Sequence, residues 1–161
     1  MSVSDTLQRA TELWQRAMEL QMAGALDEAI ELYLESISLH PTAEAHTYLG
    51  WTYSYQGRIL EAVAECKRAI AVDPTFGNPY NDIGSYLMKE GHFDEAIPWL
   101  QKAMRAERYE CYFYPHANMG LILEQRGKWL EAIAEHRKAL SYRPDYEVSL
   151  GAVRRLEALM N

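Results

Sequence analysis

Five histidines, two cysteines and a surplus of carboxylates are the side chains in this sequence that could do chemistry. His40, His46, His92, His116 and His136 would be first choices for metal ligation or proton transfer, because imidazole titrates near neutrality and coordinates through either nitrogen. Their spacing argues against both uses: there is no C-x2-C, no H-E-x-x-H and no recurring ligand pair. Cys66 has no basic neighbour in sequence to stabilise a thiolate. Gly77-Asn78-Pro79 lacks the further glycines and the preceding strand of a phosphate cradle, and no nucleophile elbow is present. Glu31, Glu35, Glu61, Glu65, Glu131 and Glu135 stand near Arg and Lys and read as solvated helix faces. These residues predict no catalytic centre, no metal site and no cofactor.

What the chain does carry is a period. Gly24, Gly57, Gly91 and Gly127 are each followed five residues later by Ala29, Ala62, Ala96 and Ala132, and successive glycines are 33, 34 and 36 residues apart. The apolar pattern inside each unit is helical, and a period near ~34 residues with that pattern predicts stacked helix pairs. The four glycines fall where a first helix should end, a place suited to left-handed backbone. Gly50, Gly84 and Gly120 lie inside first helices, where each costs about 1 kcal/mol against alanine. Close approach of the second helix at Ala62, Ala96 or Ala132 would explain them. Pro41, Pro74 and Pro144 follow second helices.

Helices are expected from Ser4 or Asp5 to about Met22, then over roughly 26–39, 43–56, 59–72, 78–90 and 93–105, with a last one over 146–160. Asn78-Pro79 reads as a cap followed by proline at the first helical position, and Pro115 as the same device in the fourth unit. Tyr109–Tyr114 holds four aromatic residues at the longest junction. It is expected to fold back on neighbouring helices; the other use is contact with a partner or a second copy.

The residues at the repeat marks resemble the tetratricopeptide repeat (TPR) pattern W-x2-L-G-x2-Y, A-x3-F, P. His46-x2-Leu49-Gly50-x2-Tyr53 with Ala62-x3-Cys66 and Pro74 carries it most fully. Tyr80-x2-Ile83-Gly84-x2-Leu87 and His116-x2-Met119-Gly120-x2-Leu123 repeat it, and the first unit, with Arg16 in place of the leucine, is degenerate. The resemblance implies an all-α, right-handed helical solenoid of about four helix pairs plus a C-terminal capping helix. It implies one domain over 1–161, with repeats of about 10–42, 43–76, 77–110 and 113–146 and a cap of about 146–160.

By the same resemblance, the first helices line a concave groove that receives a peptide or helix of a partner. The groove positions carried over are Trp14, Gln15, Met18 and Met22, then Tyr48, Trp51 and Tyr55. The third repeat offers Asn81, Asp82, Ser85, Met88 and Lys89, and the fourth Tyr114 and Asn118, with Glu124 and Gln125 beyond. Asn81 and Asn118 could bond a peptide backbone while Trp14, Trp51 and Met18 take apolar side chains. Family members that clamp an acidic C-terminus use Lys, Asn and Arg where this chain has Trp14, Met18, Tyr48, Asn78 and Asp82, which implies a partner with an apolar segment instead.

Composition agrees with a binding module. A formal charge of −7 argues against nucleic acid. No signal sequence or membrane span is visible, which gives a cytoplasmic expectation, and the two cysteines do not form a disulfide framework. The rival readings are a small-molecule or enzymatic cavity in the groove around Asp82, and a homo-oligomer seamed through Tyr109–Tyr114.

Overall fold

The computed structural model describes residues 1–161 as nine helices: α1 (Val3–Met22), α2 (Leu26–Leu39), α3 (Ala43–Tyr55), α4 (Ile59–Val72), α5 (Asn78–Lys89), α6 (Phe93–Met104), α7 (Phe113–Gln125), α8 (Trp129–Tyr142) and α9 (Glu147–Met160). Each odd helix packs antiparallel on the even helix that follows it, and each even helix packs on the next odd one. The odd helices also touch one another in the order α1, α3, α5, α7, forming the inner row of an all-α solenoid. The largest buried cluster, with Tyr33, Leu49, Tyr53, Ile83 and Tyr86 among its members, runs continuously from the first pair into the third.

The turn inside every pair is the same object. Gly24, Gly57, Gly91 and Gly127 have φ of 84°, 75°, 80° and 71°, and no other residue of the chain has positive φ. In the second pair the Gly57 N–H donates to the Ser54 carbonyl (3.1 Å) and the Arg58 N–H to the Tyr53 carbonyl (3.0 Å). That is a Schellman closure, and it satisfies carbonyls that the helix end would otherwise leave unpaired. The Arg58 guanidinium lies 4.1 Å from the Tyr53 ring centre and shields the closure.

The glycines inside first helices meet more than small residues. A Cβ on Gly50 would stand 2.9 Å from the Ala62 carbonyl oxygen, a true backbone approach. On Gly84 it would meet the Leu100 side chain at 2.6 Å, and on Gly120 the His136 ring at 2.6 Å. In the third and fourth pairs the side chain four residues after the alanine fills the notch, so the expected pairing of small with small holds only for Gly50.

Several local expectations are corrected. The first helix is capped by Ser2, whose Oγ accepts from Asp5 N–H while Asp5 accepts in return from Ser2 N–H, both at 3.1 Å. Gly77 is the N-cap of α5 and Tyr112 that of α7, so Asn78 and Pro115 already lie within the first turns. Glu65 and Glu135 do not face solvent. His46 Nδ1 donates to Glu65 (2.7 Å) and His116 Nδ1 to Glu135 (2.8 Å), and both carboxylates are screened from water. The His116 bond, more than any other contact, holds the Glu135 carboxyl below its ordinary pKa. The third pair has Tyr80 and Trp99 at the same spacing, with ring centres 6.3 Å apart.

The aromatic junction folds back on the body. Arg108 pairs through its backbone with Thr75 and Gly77 (both 3.0 Å), and its guanidinium bonds Asp73 and Glu44 while covering the Phe76 ring. Tyr109 sits directly on Gly77, where any Cβ would collide with its ring. Tyr112 lies between Tyr109, which it meets edge-on, and Tyr142, and Phe113 packs on Tyr146.

The two kinds of helical glycine should respond oppositely to alanine. Gly151 in α9 has open space where a Cβ would go, so Gly151→Ala should raise stability by about 0.5–1 kcal/mol in urea unfolding. Gly50→Ala should lower it by about 1–3 kcal/mol, since α3 and α4 must separate. Equal responses would show that the α3–α4 approach is not limiting.

Candidate functional site

The inner row aligns one position from each first helix. Gln15, Tyr48, Asp82 and Asn118 recur at the same 33-, 34- and 36-residue spacing as the glycines, so they form a single file along the concave side. Around the last three of them the chain encloses a cavity of about 370 Å³. Trp51, Ser54, Ser85 and Lys89 line it from α3 and α5, and Tyr114 from α7. Helical phase supplies these walls, because residues three, four and seven apart share a face.

The remaining lining comes from places that first-helix phase did not point to. Tyr109 and Cys111 enter from the junction before α7, Tyr146 from the turn before α9, and Tyr86 from the buried side of α5. The aromatic residues of the junction were the available signal, and part of that cluster walls the groove instead of projecting from it.

The fourteen positions expected to form a groove do not all meet. Tyr48, Trp51, Asn81, Asp82, Ser85, Lys89, Tyr114 and Asn118 line the central cavity. Trp14 backs it by packing on Tyr48, ring centres 5.6 Å apart, and Tyr55 rests on Trp51 at 5.5 Å. Gln15, Met18 and Met22 lie on α1 outside it, and Met22 is largely exposed. Met88 lines an adjoining concavity of about 540 Å³ with Phe93 and Leu121. There Glu124, also expected in the groove, accepts from Arg155 Nη2 through both carboxylate oxygens (2.7 and 2.8 Å). Asn81 is buried, and its Oδ1 accepts from Asn118 Nδ2 at 3.1 Å, so its carbonyl is used within the chain.

Asp82 is the electrostatic centre. It lines the cavity half-buried, and loss of bulk water there pushes its carboxyl up to about 7, with Lys89 opposing from two turns along α5. It has no hydrogen-bond or ion-pair partner in the chain. Among the other titratable groups around it, burial moves Tyr48, Cys66, Tyr86, Tyr109 and Cys111 further above neutrality. Tyr86 adds a second polar group without a partner, its buried hydroxyl. No group of three or more His, Cys, Asp or Glu side chains stands close enough to share a metal ion, and no helix is long and apolar enough to cross a membrane.

The tetratricopeptide repeat profile matches residues 43–76 and again residues 78–109, the two helix pairs that hold most of this cavity. The chain is a tetratricopeptide repeat protein. Among curated relatives it is 27% identical over 104 residues to small glutamine-rich tetratricopeptide repeat-containing protein 2 of Mycosarcoma maydis, covering 64% of this chain and 30% of that protein. It is 28% identical over 134 residues to the probable UDP-N-acetylglucosamine–peptide N-acetylglucosaminyltransferase SPINDLY of Hordeum vulgare, covering 78% of this chain and 14% of that one. The TPR chain thus spans less than a third of either relative. Among solved structures, Pseudomonas aeruginosa pilF superposes with a TM-score of 0.90 at 19% identity, covering 97% of this chain and 71% of that one. The pilus biogenesis factor PilW gives 0.83 at 18% (93% and 69%), and YrrB 0.67 at 20% (92% and 76%). At these identities the likeness is one of fold. TPR repeats make this chain a protein–protein interaction module.

Asp82 gives the TPR domain a pH-dependent term. Its folded pKa of about 7 exceeds the roughly 3.9 of an unfolded carboxyl, so the folded state holds the extra proton between those values. The contribution is complete below about pH 4 and is lost as pH rises to about 7. Asp82→Asn removes the slope: urea midpoints should converge near pH 4, and at pH 8 the variant should be more stable by about 2 kcal/mol, half the full shift because one side is wet. A wild-type advantage at pH 8 would mean the carboxylate has a partner within the protein.

Proposed function

We propose that the chain is an adaptor without catalysis of its own, whose concave groove receives a peptide or helix of a partner protein. One observation carries the reading: Tyr48, Trp51 and Tyr114 keep exposed ring surface around a cavity that helix pairing does not require. Aromatic surface of this kind is enriched where partners bind, because a flat ring buries much area at small entropic cost. The rings suit apolar side chains of an incoming segment. The amide of Asn78 and the free oxygen of Asn118 suit its backbone. YrrB, of the same fold, is described as having an unusual peptide-binding site, which supports a peptide as the kind of ligand.

The test is a pull-down from cell lysate, read by mass spectrometry, with wild type and a Tyr48→Ala/Trp51→Ala variant matched in circular dichroism. A client recovered by wild type and reduced about tenfold or more with the variant is the expected result, in line with aromatic anchors dominating such interfaces. Equal recovery would remove the concave face from the binding surface.

A further inference from the structure

The groove's chemistry says more than that it takes a segment. Its floor holds a carboxyl group, Asp82, with no partner in the chain, and the buried, unpartnered hydroxyl of Tyr86 lines the same cavity. Its walls are the rings of Tyr48, Trp51, Tyr109, Tyr114 and Tyr146. Ring faces carry negative electrostatic potential, so each ring that turns its face to the cavity adds to the sign of the carboxylate.

The chain's own cations answer that field only weakly. Arg108 is held by Glu44 and Asp73 and Arg155 by Glu124, Arg143 lies over the Tyr146 ring at 5.8 Å and bonds Asp145, and Lys89, at the same cavity, lies toward the Tyr86 ring at 6.0 Å and opposes the rise of the Asp82 pKa without bonding its carboxylate. An apolar side chain alone would leave Asp82 desolvated and still unpaired, the costliest state for a carboxyl group.

We infer that the central pocket is a recognition site for an arginine side chain of the partner segment, its guanidinium bonded to Asp82 and stacked on the surrounding aromatic rings. This rests on the groove binding a peptide, and it names the residue that sets specificity there. Arginine fits better than lysine because its planar head presents two parallel N–H donors to one carboxylate and a flat face to a ring. A carboxyl raised to about 7 is one whose ionised form lacks a counter-charge, and the guanidinium supplies it. The amide oxygens of Asn78 and Asn118, also at the pocket, can accept its remaining N–H groups.

A phage-displayed library of random dodecapeptides, selected separately on wild type, Asp82→Asn and Trp51→Ala, tests the inference. Circular dichroism first establishes that each variant is folded. The expected result is enrichment of arginine at one aligned position on wild type and its disappearance on Asp82→Asn. The leading peptide, resynthesised with citrulline for that arginine, should then lose about tenfold or more in affinity for wild type and little for Asp82→Asn. Peptides selected by wild type and lost on Trp51→Ala, but without arginine enrichment, would overturn the arginine site while leaving the groove reading intact. No selection on wild type, or selection indifferent to Trp51→Ala, would overturn both.

Discussion

The structure depends on one backbone constraint, the left-handed residue between the two helices of each pair. At Gly24, Gly57, Gly91 and Gly127 a side chain would be strained whatever the surrounding space, and the space around each is open. The glycine ends one helix with a Schellman closure, and the next residue, Ala25, Arg58, His92 or Lys128, is already the N-cap of the following helix. One torsion angle therefore sets how each pair folds on itself. Because it is nearly the same four times, the pairs stack with a common geometry and the odd helices fall into one concave row.

Within that frame, contacts are exchanged as units. In the third and fourth pairs a notch residue and its filler are sixteen apart, Gly84 with Leu100 and Gly120 with His136, and in the second Cys66 stands at the same spacing from Gly50, behind the closer Ala62 carbonyl. A larger notch residue or filler in one pair requires adjustment only in the other member. His136 shows the limit of such exchange. Its Nδ1 finds Ser149 on α9 at 3.0 Å, its Nε2 finds nothing, and burial pushes its pKa down. The pairs nineteen apart behave likewise, hydrogen-bonded in the second and fourth repeats and aromatic in the third. Close packing requires the partners to match, but leaves open the chemistry by which they do.

Much of this was legible in the residues, for identifiable reasons. Helical phase and the glycine marks are local signals, and they placed the helices to within a residue or two, with Gly77 in place of Asn78 as a cap among the small shifts. Burial of Glu65 and Glu135 was misread because their own helices give them an outward phase, while the residues that cover them lie nineteen positions earlier. The recurrence of His46–Glu65 and His116–Glu135 at one spacing was the signal available. The pocket was half legible: its walls on α3 and α5 follow from the repeat, whereas Tyr109 and Tyr146 come from connecting segments whose course no period dictates. Asp82 stood out by its file-mates Tyr48 and Asn118, but its lack of a partner is a fact of three-dimensional packing alone.

The Arg108 clamp changes how the solenoid can come apart. In a strict stack each repeat touches only its neighbours, and unfolding can travel inward from either end one repeat at a time. Arg108, from the segment after the third pair, reaches Asp73 after the second and Glu44 at the start of α3, sixty-four residues back. Its backbone also pairs with the 75–77 turn, and Tyr109 closes over Gly77. These ties add to the core that already joins the first three pairs, and α9, which packs mainly on α8, is the element freest to fray. The joined pairs hold Tyr48, Trp51 and Asp82, so that side of the groove should persist while α9 opens and closes beside it.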